Sequence, residues 1–190
     1  MYPPKGPNWA HEVKFDGYRC QLHKYGADVV LFSRNGRDFT KHYLIVRAAA
    51  AAIPMRSLIL DGELTAYADD GREDIRALLE RRTPHHLCLW VFDILALDGR
   101  SQRINPLWKR RMTLDSVMDK IHSPNIRYSE QFQDPDALLA ACIRRGFEGV
   151  VSKRTDKGYQ SGKSTDWIEV KAKGWRERNA WRGEFFQTGR

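Results

Sequence analysis

The strand-like segments of this chain come in groups, and this grouping restricts the possible fold more than any other feature of the sequence. Short apolar runs over residues 9–33 are broken by Asp-Gly at 16–17 and by Tyr-Gly-Ala-Asp at 25–28, which predicts three antiparallel strands joined by tight turns. Because strands and helices do not alternate strictly, we expect an α+β fold with mainly antiparallel sheets. Further strands are expected at 57–67, 86–97, 148–154 and 166–171.

Four segments between these strands have a helical composition or spacing. The alanine-rich segment 41–53 favours a helix, and 106–121 opens with a proline, which suits the first turn of a helix. Residues 73–82 have helical spacing, and residues 134–146 form a helix-like segment that Gly146 is expected to end. These helices are expected to cover the sheets.

Size and charge limit the classes of function that the chain can have. A length of 190 residues suggests one domain or a little more, and a hydrophobic content of 42% is enough for a packed core. The net charge of +8 favours a polyanionic partner such as nucleic acid or nucleotide phosphates, although a solvated basic surface explains the charge equally well. No apolar run approaches the ~20 residues that cross a bilayer, so we expect no membrane partner.

The three cysteines show no paired spacing. Cys20, Cys88 and Cys142 are scattered and odd in number, which argues against a disulfide framework and against a zinc site. A reducing, cytoplasmic setting is therefore expected.

Charged residues stand at the end of one predicted strand and within another, where their side chains can project into a cleft. Lys14 precedes the Asp16-Gly17 turn, and Asp61 and Glu63 share one strand face because they are two residues apart. Each has a simpler explanation by itself: a lysine beside such a turn is usually a surface residue, and Asp61 with its following glycine is typical of a turn.

These residue types together suit chemistry at a phosphate. A lysine attacks phosphorus only when its amine is uncharged, and nearby cations favour that form. Attack on phosphorus also requires other lysines or arginines to neutralise the phosphate oxygens, and a divalent metal requires carboxylate ligands. The chain offers residues of both kinds, with Glu148 and Lys153 in one segment and Lys171 in another. An aromatic ring such as Phe92 offers a face to a purine, although a core role explains it equally well.

In this order and spacing, the segments resemble the covalent nucleotidyltransferase superfamily, and most closely the ATP-dependent DNA ligases of the bacterial kind, including the ligase portion of end-joining ligase D proteins. The likeness covers about residues 9–171 and implies two mainly antiparallel sheets flanked by helices, with a nucleotide groove between them. The segments that carry it are EVKFDGYR, SRNGRDFT, LDGE, VFDILALDGR, EGVVSKR and DWIEVK.

The resemblance implies a DNA ligase activity centred on Lys14. Its amine would attack the α-phosphate of ATP and hold AMP through a P–N bond. AMP would then pass to the 5′-phosphate of nicked double-stranded DNA, and the 3′-hydroxyl would seal the strand. The other implied roles are the adenine edge for Glu12, the ribose for Arg19 and Glu63, the purine face for Phe92, the phosphates for Lys153 and Lys171, the 5′-phosphate of the nick for Arg34, and Mg²⁺ or Mn²⁺ for Glu148 and Glu63.

The sequence departs from the family pattern in its fifth motif. Glu169 stands where the family usually carries the first of two lysines, and only Lys171 remains. Since residues two apart share a strand face, we expect Glu169 to pair with Lys171 and to weaken the grip on phosphate.

The resemblance also predicts how the chain is divided. Residues 1–172 are expected to form the adenylation domain and residues 173–190 a basic aromatic tail or linker, with the oligonucleotide-binding domain of the family absent. The tail carries Trp175, Trp181, Phe185 and Phe186 and adds positive charge.

Two other functions remain open at this point. One is a degenerate copy that binds nucleotide or DNA without sealing, and the other is an RNA ligase or capping-type nucleotidyltransferase. A monomer is expected, acting on nicked DNA, with a separate oligonucleotide-binding or repair protein as a further partner.

Overall fold

The computed structural model describes residues 2–80, 86–162 and 164–182, and within these ranges the chain forms nine strands and five α-helices. The strands are β1 (Trp9–Lys14), β2 (Tyr18–Tyr25), β3 (Asp28–Ser33), β4 (Ser57–Tyr67), β5 (His86–Leu97), β6 (Arg100–Ser101), β7 (Ile126–Tyr128), β8 (Gly149–Arg154) and β9 (Trp167–Lys171). The helices are α1 (Leu44–Ala51), α2 (Ile75–Leu79), α3 (Leu107–Met118), α4 (Pro135–Arg145) and α5 (Trp175–Arg178).

The strands form two sheets. One has the order β1-β8-β9, and the other has the order β3-β2-β4-β5-β6, with β7 pairing parallel to β5. The pairings of β2 with β3, β2 with β4, β4 with β5, β5 with β6 and β8 with β9 are antiparallel. The predicted α+β class with two mainly antiparallel sheets is therefore confirmed.

The residues group into two compact units. Unit 1 draws on residues 1–15, 131–153 and 165–190, and unit 2 on residues 16–130 and 154–164. The chain passes from unit 1 to unit 2 directly after Phe15 and again after Lys153. The part of the predicted tail that includes Phe185 and Phe186 lies outside the described residues, as does the predicted end of the second helix at 82.

The prediction that residues 9–33 form three mutually paired strands is wrong for the first strand. β2 and β3 form the expected two-residue hairpin, in which Gly26 has a φ of +56°. β1, however, belongs to the three-stranded sheet of unit 1, next to β8. The apolar alternation shows that β1 has a buried face, but it does not indicate which strand lies beside it.

Unit 1 is built on a small core between α4 and its sheet. Leu138 and Cys142 of α4 pack with Val150 of β8, and Val13 of β1 packs against this cluster. Asp134 caps the start of α4 through its side chain, and Gly146 ends the helix in the left-handed conformation at φ +80°. The core therefore fixes the strand that ends in Lys14.

A distortion in the sheet of unit 2 lies beside Asp61. The register between β4 and β5 shifts between Asp61 and Gly62, so that Phe92 has no partner residue in β4. A Cβ atom on Gly62 would lie 2.6 Å from the carbonyl oxygen of Trp90, which explains why glycine is required there. The turn explanation for Asp61 is therefore wrong, because Asp-Gly at 61–62 lies inside a long strand.

Two buried arginines of α3 hold β5 in place. Arg110 donates from Nε and Nη2 to the carboxylate of Asp93, with both distances at 2.8 Å. Arg111 donates from Nη1 to the carbonyl oxygen of Phe92, also at 2.8 Å. These contacts hold the backbone at Phe92 and the side chain of the residue that follows it, next to the register shift.

The three cysteines carry thiols and form no disulfide with one another. All three are free and buried, at positions 20, 88 and 142. No described helix combines the length and the apolar character that a bilayer crossing requires.

Candidate active site

Lys14 lies at the end of β1 with only 17% of its side chain exposed. Its Nζ lies 3.1 Å from Oε2 of Glu169 and 3.5 Å from Oε2 of Glu148. The amine predicted to be the nucleophile is therefore held between two carboxylates of unit 1.

The charges continue beyond Lys14 as an alternating row. Oε1 of Glu148 lies 2.8 Å from Nζ of Lys171, whose amine also lies 3.9 Å from the ring centroid of Trp175. The backbone explains this order, because Gly149 pairs with Lys171 across β8 and β9. We call Lys171, Glu148, Lys14 and Glu169 the charged row.

The expected pairing of Glu169 with Lys171 is replaced by a different one. Glu169 contacts Lys14, and Lys171 contacts Glu148 instead. Both residues lie on the same strand, as expected, but the amine of Lys171 contacts the carboxylate of Glu148 and the ring of Trp175. Sequence spacing within β9 gives no information about these partners, which come from other segments.

A second ion pair lies deeper in the same unit. Nζ of Lys153 lies 2.9 Å from Oε2 of Glu12, and each side chain is only 2% exposed. Nε2 of Gln131 donates to the other oxygen of Glu12 at 3.3 Å, and Lys153 lies 4.4 Å from the ring centroid of Trp167. Such a pair is stable in the interior only because both charges are matched.

The surroundings of Lys14 differ from the expected pocket of positive groups. The charged row and the deeper pair hold three lysines and three glutamates, so their formal charges cancel. Carboxylates next to an amine favour its charged form, whereas cationic neighbours were expected to favour the neutral form. Lys14 therefore lies among balanced charges and not in an excess of positive ones.

Arg19 occupies the centre of a separate cluster in unit 2. Its Nε and Nη2 donate to the carboxylate of Asp61 at 3.1 and 2.6 Å, and its guanidinium lies 5.4 Å from the ring centroid of Phe92. Burial acts to lower the pKa of Arg19, but hydrogen bonding to Asp61 and its negative charge outweigh burial and raise it. Arg19 is thus a permanent cation beside an aromatic ring.

Tyr159 completes this cluster. Its hydroxyl donates to Oδ2 of Asp61 at 2.8 Å and accepts from Arg19 at 3.3 Å. Burial, followed by the charge of Asp61, raises the pKa of Tyr159 to about 12, so the hydroxyl stays protonated near neutral pH. Glu63 lies opposite Arg19 in the register of β2 and β4.

The predicted site residues thus fall into two groups. Unit 1 brings Glu12, Lys14, Glu148, Lys153 and Lys171 together. Unit 2 brings Arg19, Glu63 and Phe92 together, and it also carries Arg34, which is exposed in the loop after β3.

The predicted metal role of Glu148 and Glu63 has no preformed site. Among residues 2–80, 86–162 and 164–182, no group of three or more His, Cys, Asp or Glu side chains is arranged to hold a metal ion. Both oxygens of Glu148 face lysines, and Glu63 belongs to the other unit. The assignment of these two residues to Mg²⁺ or Mn²⁺ stays a prediction.

Sequence reasoning missed three residues that organise these clusters. The sequence offers a turn as the simpler explanation of Asp61, and it predicts no role for Tyr159 or Trp167. A buried strand that contains an aspartate in its centre is the signal that would have found Asp61, because an isolated buried carboxylate requires a partner.

A buried histidine beside the deeper pair makes stability depend on pH. His11 lies 2.8 Å from the hydroxyl of Ser152, and burial lowers the pKa of His11 below 6.5, against a weaker opposite effect of Asp134. The unfolded chain therefore takes up a proton below about pH 6.5 that the folded chain takes up only at lower pH. Stability should be full above this value and should fall on acidification.

We expect the free energy of unfolding to decrease as the pH falls below about 6.5, and to decrease less in a His11→Gln variant. Urea denaturation at several pH values measures both slopes. Equal slopes in the two proteins would contradict the assignment to His11. His23, whose pKa is also lowered by burial, accounts for part of the slope that remains.

Known proteins resemble this chain in sequence over most of its length. The profile of the family described as "ATP dependent DNA ligase domain" matches residues 4–171. The multifunctional non-homologous end joining protein LigD of Pseudomonas aeruginosa is 34% identical over 173 residues, which cover 89% of this chain and 20% of that protein. A probable DNA ligase of Dictyoglomus thermophilum is 33% identical, with 85% of this chain and 31% of that protein covered.

A solved structure shows the same fold at similar identity. The mycobacterial DNA ligase D complexed with ATP and MES superimposes with a TM-score of 0.77 at 30% identity, covering 90% of this chain and 59% of that chain. The present chain spans about a fifth to a third of the length of the curated relatives named above. The family match nevertheless extends over most of the chain, which therefore belongs to the ATP-dependent DNA ligase domain family.

Proposed function

We propose that this chain is the adenylating part of an ATP-dependent DNA ligase, in which Lys14 carries AMP and delivers it to the 5′-phosphate of nicked double-stranded DNA. The observation that carries the proposal is the position of the Lys14 amine, mostly buried at a strand end and grouped with Glu148 and Lys171. A lysine on a rigid strand with fixed neighbours suits covalent catalysis, since its amine can be aimed at one atom.

The first step balances as a displacement at phosphorus. The Lys14 ammonium gives one proton to water and, as an amine, attacks the α-phosphorus of ATP. A P–N bond forms while the bond to the pyrophosphate oxygen breaks, and the nitrogen then gives a second proton to water. Lys153 and Lys171 lie in the same unit and are proposed to donate hydrogen bonds to phosphate oxygens, which requires them to exchange their present carboxylate partners for phosphate. Pyrophosphate leaves with the electron pair of the broken bond.

The later steps return Lys14 to its starting form. An oxygen of the DNA 5′-phosphate attacks the phosphorus of AMP, the P–N bond breaks, and the lysine nitrogen takes up two protons from water to become an ammonium again. The 3′-hydroxyl on the other side of the nick then loses its proton, attacks the activated 5′-phosphate and releases AMP. The proposed pathway is DNA repair, because the relative from Pseudomonas aeruginosa is named for non-homologous end joining.

The cluster of unit 2 is proposed to recognise the nucleoside. Phe92 is assigned to the purine face and Arg19 with Glu63 to the ribose, while Glu12 in unit 1 is assigned to the adenine edge. The fixed direction of Arg19, held by Asp61 and Tyr159, supports a recognition role because its guanidinium loses little freedom on binding. Arg34 is assigned to the 5′-phosphate of the nick.

A second candidate function is nucleotide binding without transfer of AMP. The contact between Glu169 and Lys14 favours it, because a carboxylate occupies space next to the proposed nucleophile. Adduct formation separates the two candidates.

The test is incubation of the full chain with α-labelled ATP or α-labelled GTP, followed by denaturing electrophoresis. Label from ATP should remain on the protein, and addition of pyrophosphate should remove it as ATP. Addition of nicked duplex DNA should transfer the label to the DNA. Absence of label would favour nucleotide binding alone, and label from GTP would favour a capping-type enzyme.

A further inference from the structure

We propose that Glu169 is an acidic brake on the charging of Lys14: it opposes the binding of ATP and shifts the adenylylation equilibrium toward the free enzyme. This inference rests on the proposed function of Lys14. Oε2 of Glu169 lies 3.1 Å from Nζ of Lys14, which is the shorter of the two carboxylate contacts of that amine. The Glu169 side chain is 59% exposed, whereas that of Lys14 is 17% exposed.

The two carboxylates beside Lys14 are not equivalent. Glu148 is shared with Lys171, whose amine lies 2.8 Å from its other oxygen, so its charge is matched by a second lysine. Glu169 lies at the end of the charged row and reaches Lys14 from β9. Within the charged row, Glu148 contacts two lysines, whereas Glu169 contacts Lys14. Loss of the positive charge of Lys14 would therefore affect Glu169 more than Glu148.

Formation of the adduct removes the partner of Glu169. The lysine nitrogen in a P–N bond no longer carries a positive charge, and the attached phosphate brings a negative one. Because phosphorus is bonded directly to Nζ, this phosphate lies close to a carboxylate that contacts Nζ in the free protein. An attractive contact is thus exchanged for a repulsive one.

The same repulsion acts before the bond forms. The α-phosphate of ATP must come within bonding distance of Nζ, which Glu169 contacts, and the triphosphate is a polyanion. The lysines and glutamates of the site cancel in charge, so loss of one carboxylate would leave a net positive charge. Glu169 should therefore weaken ATP binding, lower the yield of adduct and make the adduct more sensitive to pyrophosphate.

The test compares Glu169→Gln with the natural chain and with Glu177→Gln. Glutamine keeps the size of the side chain and removes its charge, while Glu177 is an exposed glutamate of α5 whose replacement changes the net charge equally. We expect Glu169→Gln to bind ATP about tenfold more tightly and to need about tenfold more pyrophosphate for half-removal of the label. Glu169→Lys should change both quantities further in the same direction.

The outcomes separate the brake from the proposed function. If the natural chain is labelled and Glu169→Gln shows unchanged or weaker ATP binding and adduct yield, the brake is wrong while the proposed function stands. An equal gain in Glu177→Gln would also overturn it, because the effect would then follow net charge alone. If the chain and both Glu169 variants bind no ATP and form no adduct, the proposed function fails and the brake fails with it.

Folding of the variants is checked by thermal denaturation. Since Glu169 is mostly exposed, the glutamine variant should melt at the temperature of the natural chain.

Discussion

Replacement of Lys14 by alanine is expected to abolish the covalent AMP adduct, with a loss of at least about 10³-fold in labelled protein, because no other atom takes over the P–N bond. Lys14→Arg should be equally inactive, although it keeps the positive charge beside Glu148 and Glu169. Mass spectrometry of the intact protein after incubation with ATP measures the adduct directly.

A matched control is Lys120→Ala, which removes a lysine from an exposed position after α3. This variant should form as much adduct as the natural chain. An adduct of normal yield in Lys14→Ala would show that the nucleophile is a different residue. Peptide mapping of the labelled protein would then identify it.

The second large effect is expected at the buried pair of Lys153 and Glu12. Lys153→Met removes the cation and leaves the carboxylate of Glu12 in an interior where both side chains are 2% exposed. Removal of one partner of such a pair lowers the free energy of unfolding by about 3–5 kcal/mol, because the other charge stays buried without compensation. Equilibrium unfolding in urea, followed by circular dichroism, measures the loss.

The double variant Glu12→Leu with Lys153→Met provides the control. It removes both charges and replaces them with apolar groups, so most of the lost stability should return. A cost below about 1 kcal/mol for Lys153→Met would mean that water reaches the pair and screens it. Both variants should also lose nucleotide binding, which separates the role of the pair in the site from its role in stability.

Local features of the fold were predictable because their causes are local. The hairpin between β2 and β3 follows from Gly26, which adopts a positive φ, and the end of α4 follows from Gly146. The partner of β1 was not predictable, because its pairing joins residues far apart in the chain. β7, with only three residues, was missed since it is too short for any alternation to appear.

The candidate site shows the same division. Motif spacing placed Lys14, Glu148, Lys153 and Lys171 in one site, and the structure brings their side chains into one unit. It did not indicate which lysine faces which carboxylate, since the partner of Glu169 is set by the order of three strands from distant segments.

The pairing of β1 with β8 has a consequence for synthesis on the ribosome. Glu12 and Lys153, which bind each other across this sheet, are 141 residues apart in the chain. The strand that ends in Lys14 is therefore synthesised before its neighbour β8 and can pair with it only after residues 16–130 have emerged from the ribosome. Those intervening residues contain the six-stranded sheet. In a nascent chain the six-stranded sheet can therefore form before Lys14 is surrounded by its charged neighbours from β8 and β9.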